Sequence, residues 1–139
     1  MANNIKLAIK LDLDGAYIPS FYNKMLINSF SKKKNFQLIG SAHTIKEIKI
    51  KEKQGVKIIF LSPLFKTLKS KNYLNIFNFS LLSKKTNLKI IALGGINKLN
   101  FKKLFLLKIH GFASISFFKK IDRFYLGKLL IKHKHYINK

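Results

Sequence analysis

The sequence predicts an α/β domain built on a parallel sheet. Two observations carry this expectation. Short apolar runs alternate with longer amphipathic stretches along the chain, and one run, Lys89-Ile-Ile-Ala-Leu-Gly-Gly-Ile-Asn97, stays apolar until two adjacent glycines end it. Unbroken apolar strands of this kind are expected to be buried on both faces of a parallel sheet. Repeated βα order implies right-handed crossovers, either in an open doubly wound sheet or in part of a (βα)8 barrel. At 139 residues the chain is one domain by length. It is too short for a whole barrel, which needs about 200 residues even when compact.

The elements follow in order. Ile5-Leu11 opens with apolar residues at Ile5, Leu7, Ala8, Ile9 and Leu11 and reads as a helix. Gly15-Pro19 is the first strand, followed by a helical pattern over Phe21-Ser31. Gln37-Ser41 is the second strand. Thr44-Gln54 is the next helix, with Thr44 as N-cap and Glu47 placed to complete a capping box. Gly55 and Gly111 each stand just before a strand, where helix C-cap glycines belong. Val56-Leu61, Lys89-Leu93 and Phe112-Ser116 complete five strands, and Leu74-Lys84, Lys98-Lys108 and Asp122-Lys132 complete the helical patterns. Residues 1–131 form the domain and 132–139 a basic tail.

Composition bounds the function. Twenty-eight basic residues face five acids, Asp12, Asp14, Glu47, Glu52 and Asp122, for a net charge of +23. All the basic residues but Arg123 are lysine, whereas specific phosphate and base contacts favour the arginine fork. The lysines are spread along the chain as solvated helix decoration, so contact with nucleic acid is expected to be non-specific and salt-dependent. The chain has no cysteine, which excludes a disulfide framework and thiolate metal sites and suits the cytoplasm. No apolar run approaches the ~20 residues of a membrane span, and Met1-Asn4 does not read as a signal peptide.

In βα proteins the chemistry gathers at the C-terminal ends of the strands. Here those ends read Tyr17-Ile-Pro-Ser20, Gly40-Ser-Ala-His-Thr44, Leu61-Ser-Pro-Leu-Phe65, Leu93-Gly-Gly-Ile96 and Ser114-Ile-Ser116. Glycines 94 and 95 let a backbone approach a ligand closely, and amides at a following helix N-terminus favour an anion. Against these stand plainer structural roles: a simple βα turn at Gly94-Gly95, local capping by Ser41 and Ser116, and loop packing for Pro63 and Phe65. His110, His133 and His135 read as surface residues, and Asp12 and Asp14 lie at the wrong end of the first strand to bind a metal. No Ser/His/Asp triad or metal-ligand spacing is present.

The order and spacing of these strand ends resemble the thiamine phosphate synthase/TenI family. Asn3-Asn4 resemble the family's Asn-Asp, and Asp14-Gly-Ala-Tyr-Ile18 its D-G-V-H-L strand. Ser41-Ala-His-Thr44 follows, then Ser62-Pro-Leu-Phe-Lys-Thr67, similar to G-P-V-F-P-T, then Gly94-Gly-Ile and Ile115-Ser116. The resemblance implies a partial TIM barrel comprising strands four to eight of eight, with two open edges and an exposed inner face. It implies a transferase that joins a pyrimidine diphosphate to a thiazole phosphate, releasing pyrophosphate with Mg2+. It would place the thiazole phosphate against the backbone of Gly95, Ile115 and Ser116, with Thr67 beside the thiazole. It puts the pyrimidine diphosphate at Ser41, with Lys69 or Lys71 as substitutes for the family's displaced lysine; His43, between a strand and a helix, reads as an orienting or structural residue.

The departures matter equally. Thr67-Leu-Lys-Ser70 replaces T-x-T-K, so the diphosphate-binding lysine is displaced. Both magnesium carboxylate positions are neutral: one falls at Asn3 or Asn4 and the other at Tyr22, in Pro19-Ser-Phe-Tyr22, where the family has G-Q-E-D. Neutral amides are poorer ligands for a hard cation. The family's Q-x-R-x-K diphosphate clamp corresponds to strands ahead of residue 1. The expectation is therefore an impaired synthase, completed by a second chain or a second copy. The alternatives are a non-catalytic TenI-like phosphate-binding module or a basic nucleic-acid-associated protein.

Overall fold

The computed structural model describes residues 4–25, 34–68 and 70–118. Its core is a five-stranded sheet in the order β1-β2-β3-β4-β5. The strands are β1 (Gly15–Ile18), β2 (Gln37–Ala42), β3 (Ile58–Leu61), β4 (Lys89–Leu93) and β5 (Gly111–Ala113). Every neighbouring pair is parallel. Sequential strands lying side by side is the arrangement of a barrel wall, in which each crossover returns to the adjacent position. The helices are α1 (Ile5–Lys10), α2 (Ile45–Lys53), α3 (Asn75–Ser83) and α4 (Ile115–Phe118), with a 3-10 helix at Phe101–Leu106. None of the described helices is long and apolar enough to cross a membrane.

One face of the sheet carries the core. Ile59, Leu61, Ile90 and Ala92 pack with Ile48, Phe79 and Leu104 from the helical layer. Ala16, Ile18 and Leu38 pack with Ile5 and Ala8 of α1 in a second cluster. Alternate residues point the other way, because side chains in a strand change face at every step. Tyr17 and Phe60 meet on that second face with ring centroids 6.5 Å apart. Tyr17, Ile39, Ile58, Phe60, Ile91 and Leu93 are all only half-buried. The both-faces burial expected of Lys89–Leu93 is thus corrected: Ile90 and Ala92 are buried, while Ile91 and Leu93 are only half-buried.

Three element assignments also change. The last strand stops at Ala113 instead of running to Ser116, because the Ser114 hydroxyl accepts the Phe117 amide at 3.2 Å and starts α4. Gly111 is accordingly a strand residue paired with Ile91, not a helix cap. Lys98–Lys108 forms a 3-10 helix only over Phe101–Leu106, entered through a turn that Asn97 and Asn100 hold. Residues 21–25 are not helical, since the carbonyls of Tyr22 and Lys24 are taken by side chains of α2. Residues 26–31 and the expected Asp122–Lys132 helix and 132–139 tail lie outside the described residues.

The caps expected at the two ends of α2 form. Thr44 Oγ1 accepts the Glu47 amide at 3.3 Å, and Glu47 reaches back to the amide of His43, one residue ahead of the usual capping-box partner. Gly55, with φ 76°, follows α2 in the left-handed conformation of a C-terminal glycine.

Candidate functional site

Parallel strands bring all five C-terminal ends to one rim, and the described candidate residues lie on the strand ends and loops that follow. After β4 the chain turns through Gly94 (φ 95°) and Gly95 (φ 69°). A Cβ on Gly95 would stand 2.5 Å from the carbonyl oxygens of both Phe65 and Lys66, and one on Gly94 only 2.7 Å from Pro63 Cβ. The glycines are needed because the β3–α3 loop lies directly on them. That loop is stitched down as well: the Leu64 amide donates to the Leu93 carbonyl at 2.9 Å and the Phe65 amide to that of Gly94 at 3.0 Å. Pro63 and Phe65 therefore act here in loop packing.

The far side of the glycine turn is fixed by two asparagines that sequence reasoning did not single out. Asn100 Nδ2 donates to the Gly95 carbonyl at 2.8 Å, and Asn100 Oδ1 accepts the Asn97 amide at 2.9 Å. Asn97 Oδ1 in turn accepts the amides of Leu99 and Asn100. Their signal was present in the sequence as an Asn-x-x-Asn spacing straight after a glycine turn, the pattern of side chains that close local turns.

The next loop is fastened to this one. Ser114 Oγ and Ser116 Oγ both donate to the Ile96 carbonyl, Ser116 at 3.0 Å. Gly95, Ile115 and Ser116 are thus brought together at the ends of adjacent strands. The amides of these three residues donate to no backbone carbonyl among the described residues, as the first-turn amides of a helix have no intrahelical partner. The Ser116 hydroxyl itself is engaged with the Ile96 carbonyl.

Ser41 and His43 lie at the neighbouring strand ends. Ser41 is buried in β2, in register with Phe60. His43 Nδ1 donates to the Ser62 carbonyl at 2.7 Å, which leaves Nε2 as an acceptor on an exposed ring. Thr67 closes a turn: its Oγ1 accepts the Ser70 amide at 3.0 Å, and its amide donates to the Ser70 carbonyl. That hydroxyl is already employed locally. Lys71 is exposed on the same loop, while Lys69 lies outside the described residues.

The positions where a metal carboxylate would be expected do other work. Asn4 Oδ1 caps α1 by accepting the Leu7 amide at 2.9 Å, and Asn3 lies outside the described residues. The Tyr22 carbonyl accepts Lys51 Nζ at 2.7 Å and Gln54 Nε2 at 3.0 Å. Gln54 also donates to the Lys24 carbonyl and accepts from Lys51. Lys51 is wholly buried, and its burial pushes its pKa below the ordinary lysine value, partly offset by the nearby Glu47 charge. This clasp was also missed. Its trace in the sequence is a lysine and a glutamine at three-residue steps from Ile48, on the helix face that turns to the sheet. Among the described residues no group of three His, Cys, Asp or Glu side chains lies close enough to hold a metal ion.

The family model described as thiamine monophosphate synthase, TMP-TENI, matches residues 1–118. The thiamine-phosphate synthase of Prochlorococcus marinus is 37% identical over 102 residues, which cover 70% of this chain and 29% of that protein. A protein of Aquifex aeolicus, provisionally named thiamine-phosphate synthase 2, is 31% identical over 115 residues, 81% of this chain and 61% of its own length. Among solved structures, the thiamine phosphate pyrophosphorylase from Pyrococcus furiosus superposes with a TM-score of 0.64 at 21% identity, over 83% of this chain and 55% of that one. The structural likeness shows the fold, a stretch of TIM-type barrel wall. The chain spans less than two thirds of the length of each of these proteins.

Proposed function

The chain belongs to the thiamine monophosphate synthase family, and on that premise we propose that its rim binds a phosphorylated thiazole in the manner of a synthase acceptor site. The observation that carries this reading is the fastening of Ser114 and Ser116 to the Ile96 carbonyl, which ties the loop after β5 to the glycine turn after β4. Amides at a glycine turn and at a helix start together make an anion cradle that needs no side-chain charge. Gly95, Ile115 and Ser116 hold the phosphate, and Thr67 flanks the ring from the loop that rests on Gly95. Ser41, Lys69 and Lys71 take the pyrimidine diphosphate, and His43 orients it through Nε2.

Joining the two halves breaks the bond to pyrophosphate, and negative charge builds on the departing group. In the family, Mg2+ supplies that countercharge. The residues present do not fit such an ion: Asn4 is spent on a helix cap, and a buried lysine already occupies the Tyr22 carbonyl. The lysines left for the diphosphate are point charges on a loop, weaker than a bidentate arginine. We therefore assign the chain a role in thiamine biosynthesis in which ligand binding outlasts turnover. The test is titration of thiazole phosphate into the protein, followed by amide chemical shifts. Saturable binding that inorganic phosphate competes away is expected, weakened about tenfold when Gly95→Ala displaces one charge-assisted contact. Absence of binding, or indifference to that substitution, would overturn the assignment.

A further inference from the structure

At the opposite end of the sheet, where β3 and β4 begin, the described residues line an open cleft of about 880 Å³. Its walls carry five lysines, Lys49, Lys57, Lys84, Lys85 and Lys89, against one carboxylate, Glu52. That carboxylate is already committed. It pairs with Lys49 at 2.8 Å and accepts the Thr86 hydroxyl, and these bonds hold its pKa below the usual carboxylate value. Lys49 Nζ also donates to the Lys85 carbonyl at 2.8 Å. This clasp ties α2 to the α3–β4 loop and fixes the backbone from which Lys84, Lys85 and Lys89 project. Lys57 and Lys89 are bound to each other's strands, the Lys89 amide donating to the Lys57 carbonyl at 3.1 Å.

Four further lysines, Lys57, Lys84, Lys85 and Lys89, thus line one cleft whose single carboxylate is already paired with Lys49. Like charges on neighbouring strands cost stability. Two helix C-termini at this end, worth about half a negative charge each, offset only part of that. We infer that the cleft is a binding site for a short oligophosphate chain, separate from the thiazole-phosphate rim. Its volume is that of a small-molecule site. No aromatic side chain lines it, so it offers no platform for stacking the bases of a nucleic acid. Lysines, as mobile point charges, suit a linear chain of phosphates with no fixed planar geometry.

Calorimetric titration with sodium tripolyphosphate tests this at 50 and 200 mM KCl. One saturable site is expected, tighter at low salt. A variant carrying Lys57→Gln, Lys84→Gln, Lys85→Gln and Lys89→Gln should lose at least tenfold in affinity. A control of equal charge, Lys6→Gln, Lys10→Gln, Lys46→Gln and Lys102→Gln, should lose less than threefold. Circular dichroism melts establish that both fold; if the quadruple variant does not, single Lys57→Gln and Lys89→Gln variants should each lose two- to fourfold. Equal losses in cleft and control variants would mean that net charge alone attracts the anion, and the inference fails. It fails too if there is no saturable binding, or if a single-stranded oligonucleotide of equal phosphate count binds tighter than tripolyphosphate.

Discussion

Ser116 and Ile96 are twenty residues apart in sequence, yet the serine hydroxyl donates to the isoleucine carbonyl at 3.0 Å. With Ser114 on the same acceptor, this bond holds the last two described βα loops to each other. The two serines are not equivalent. Ser114 also caps α4 through the Phe117 amide, so its loss removes one bond more than loss of Ser116, the 3.4 Å contact between the two hydroxyls being lost in either case. Ser114→Ala should lower unfolding free energy by about 1–2 kcal/mol and Ser116→Ala by about half as much. Urea midpoints measure the difference. A Ser116→Ala variant that costs more than Ser114→Ala would mean that the hydroxyl has a partner besides Ile96 and Ser114.

The glycine turn gives a sharper expectation. Gly95→Ala must accept both a left-handed backbone and a Cβ 2.5 Å from two carbonyl oxygens. The conformational penalty alone is about 1–2 kcal/mol, and displacing the β3–α3 loop adds to it. Gly111→Ala is the contrast, since the nearest atom to its Cβ would be Ile91 Cδ1 at 3.5 Å, an ordinary contact. Thermal denaturation should find Gly95→Ala clearly destabilised and Gly111→Ala nearly unchanged. Similar losses for the two would show that the loop does not rest on Gly95.

Lys51 predicts a pH dependence. Its pKa is lowered in the folded protein because burial disfavours the charged amine. Between that lowered value and the ordinary lysine value, the unfolded chain binds more protons than the folded one. Stability contributed by this residue therefore rises with pH across the window, and the penalty for burying the charge is fully present below it. The neutral amine can still donate to the Tyr22 carbonyl, so the clasp survives deprotonation. Lys51→Met removes the titration while keeping the stem that packs over Gly40. The stability of the native protein relative to that variant should climb with pH from the lowered pKa up to the ordinary lysine value of about 10.4. A flat or falling difference would show that the ammonium is hydrated.

Much of this fold was legible because its signals are local. Thr44 with Glu47, Gly55 after α2 and the five apolar runs each declare themselves within a few residues. Gly94 and Gly95 were legible as a special turn, but not the reason for it, since the Pro63–Lys66 loop that demands them lies about thirty residues upstream. The strand end at Ser114 was misplaced because Phe112-Ser116 reads as one apolar run until the serine is seen capping Phe117. Lys51 is the deepest omission. A lysine is taken for surface by default, and only the carbonyls of Tyr22 and Lys24, which the sequence does not display as acceptors, explain its burial. The half-covered second sheet face, in turn, depends on what packs against Ile91 and Leu93, which their own sequence does not record.

Catalysis makes the last prediction. Charge on the departing pyrophosphate needs cations placed before reaction, and losing one such group typically costs a hundredfold or more, roughly 10²–10³. Incubated with the pyrimidine diphosphate, thiazole phosphate and Mg2+, this chain should form thiamine phosphate at least about a hundredfold more slowly than the full-length relatives it resembles. Asn4→Asp sharpens the experiment. Aspartate caps a helix as well as asparagine does, so stability should hold within about 0.5 kcal/mol while a carboxylate returns to the rim. Rate should nevertheless stay low, because the second position remains Tyr22, which offers no carboxylate and whose carbonyl is already bound to Lys51 Nζ. Product formation at the rate of a full-length synthase, from either protein, would show that another set of residues supplies the countercharge.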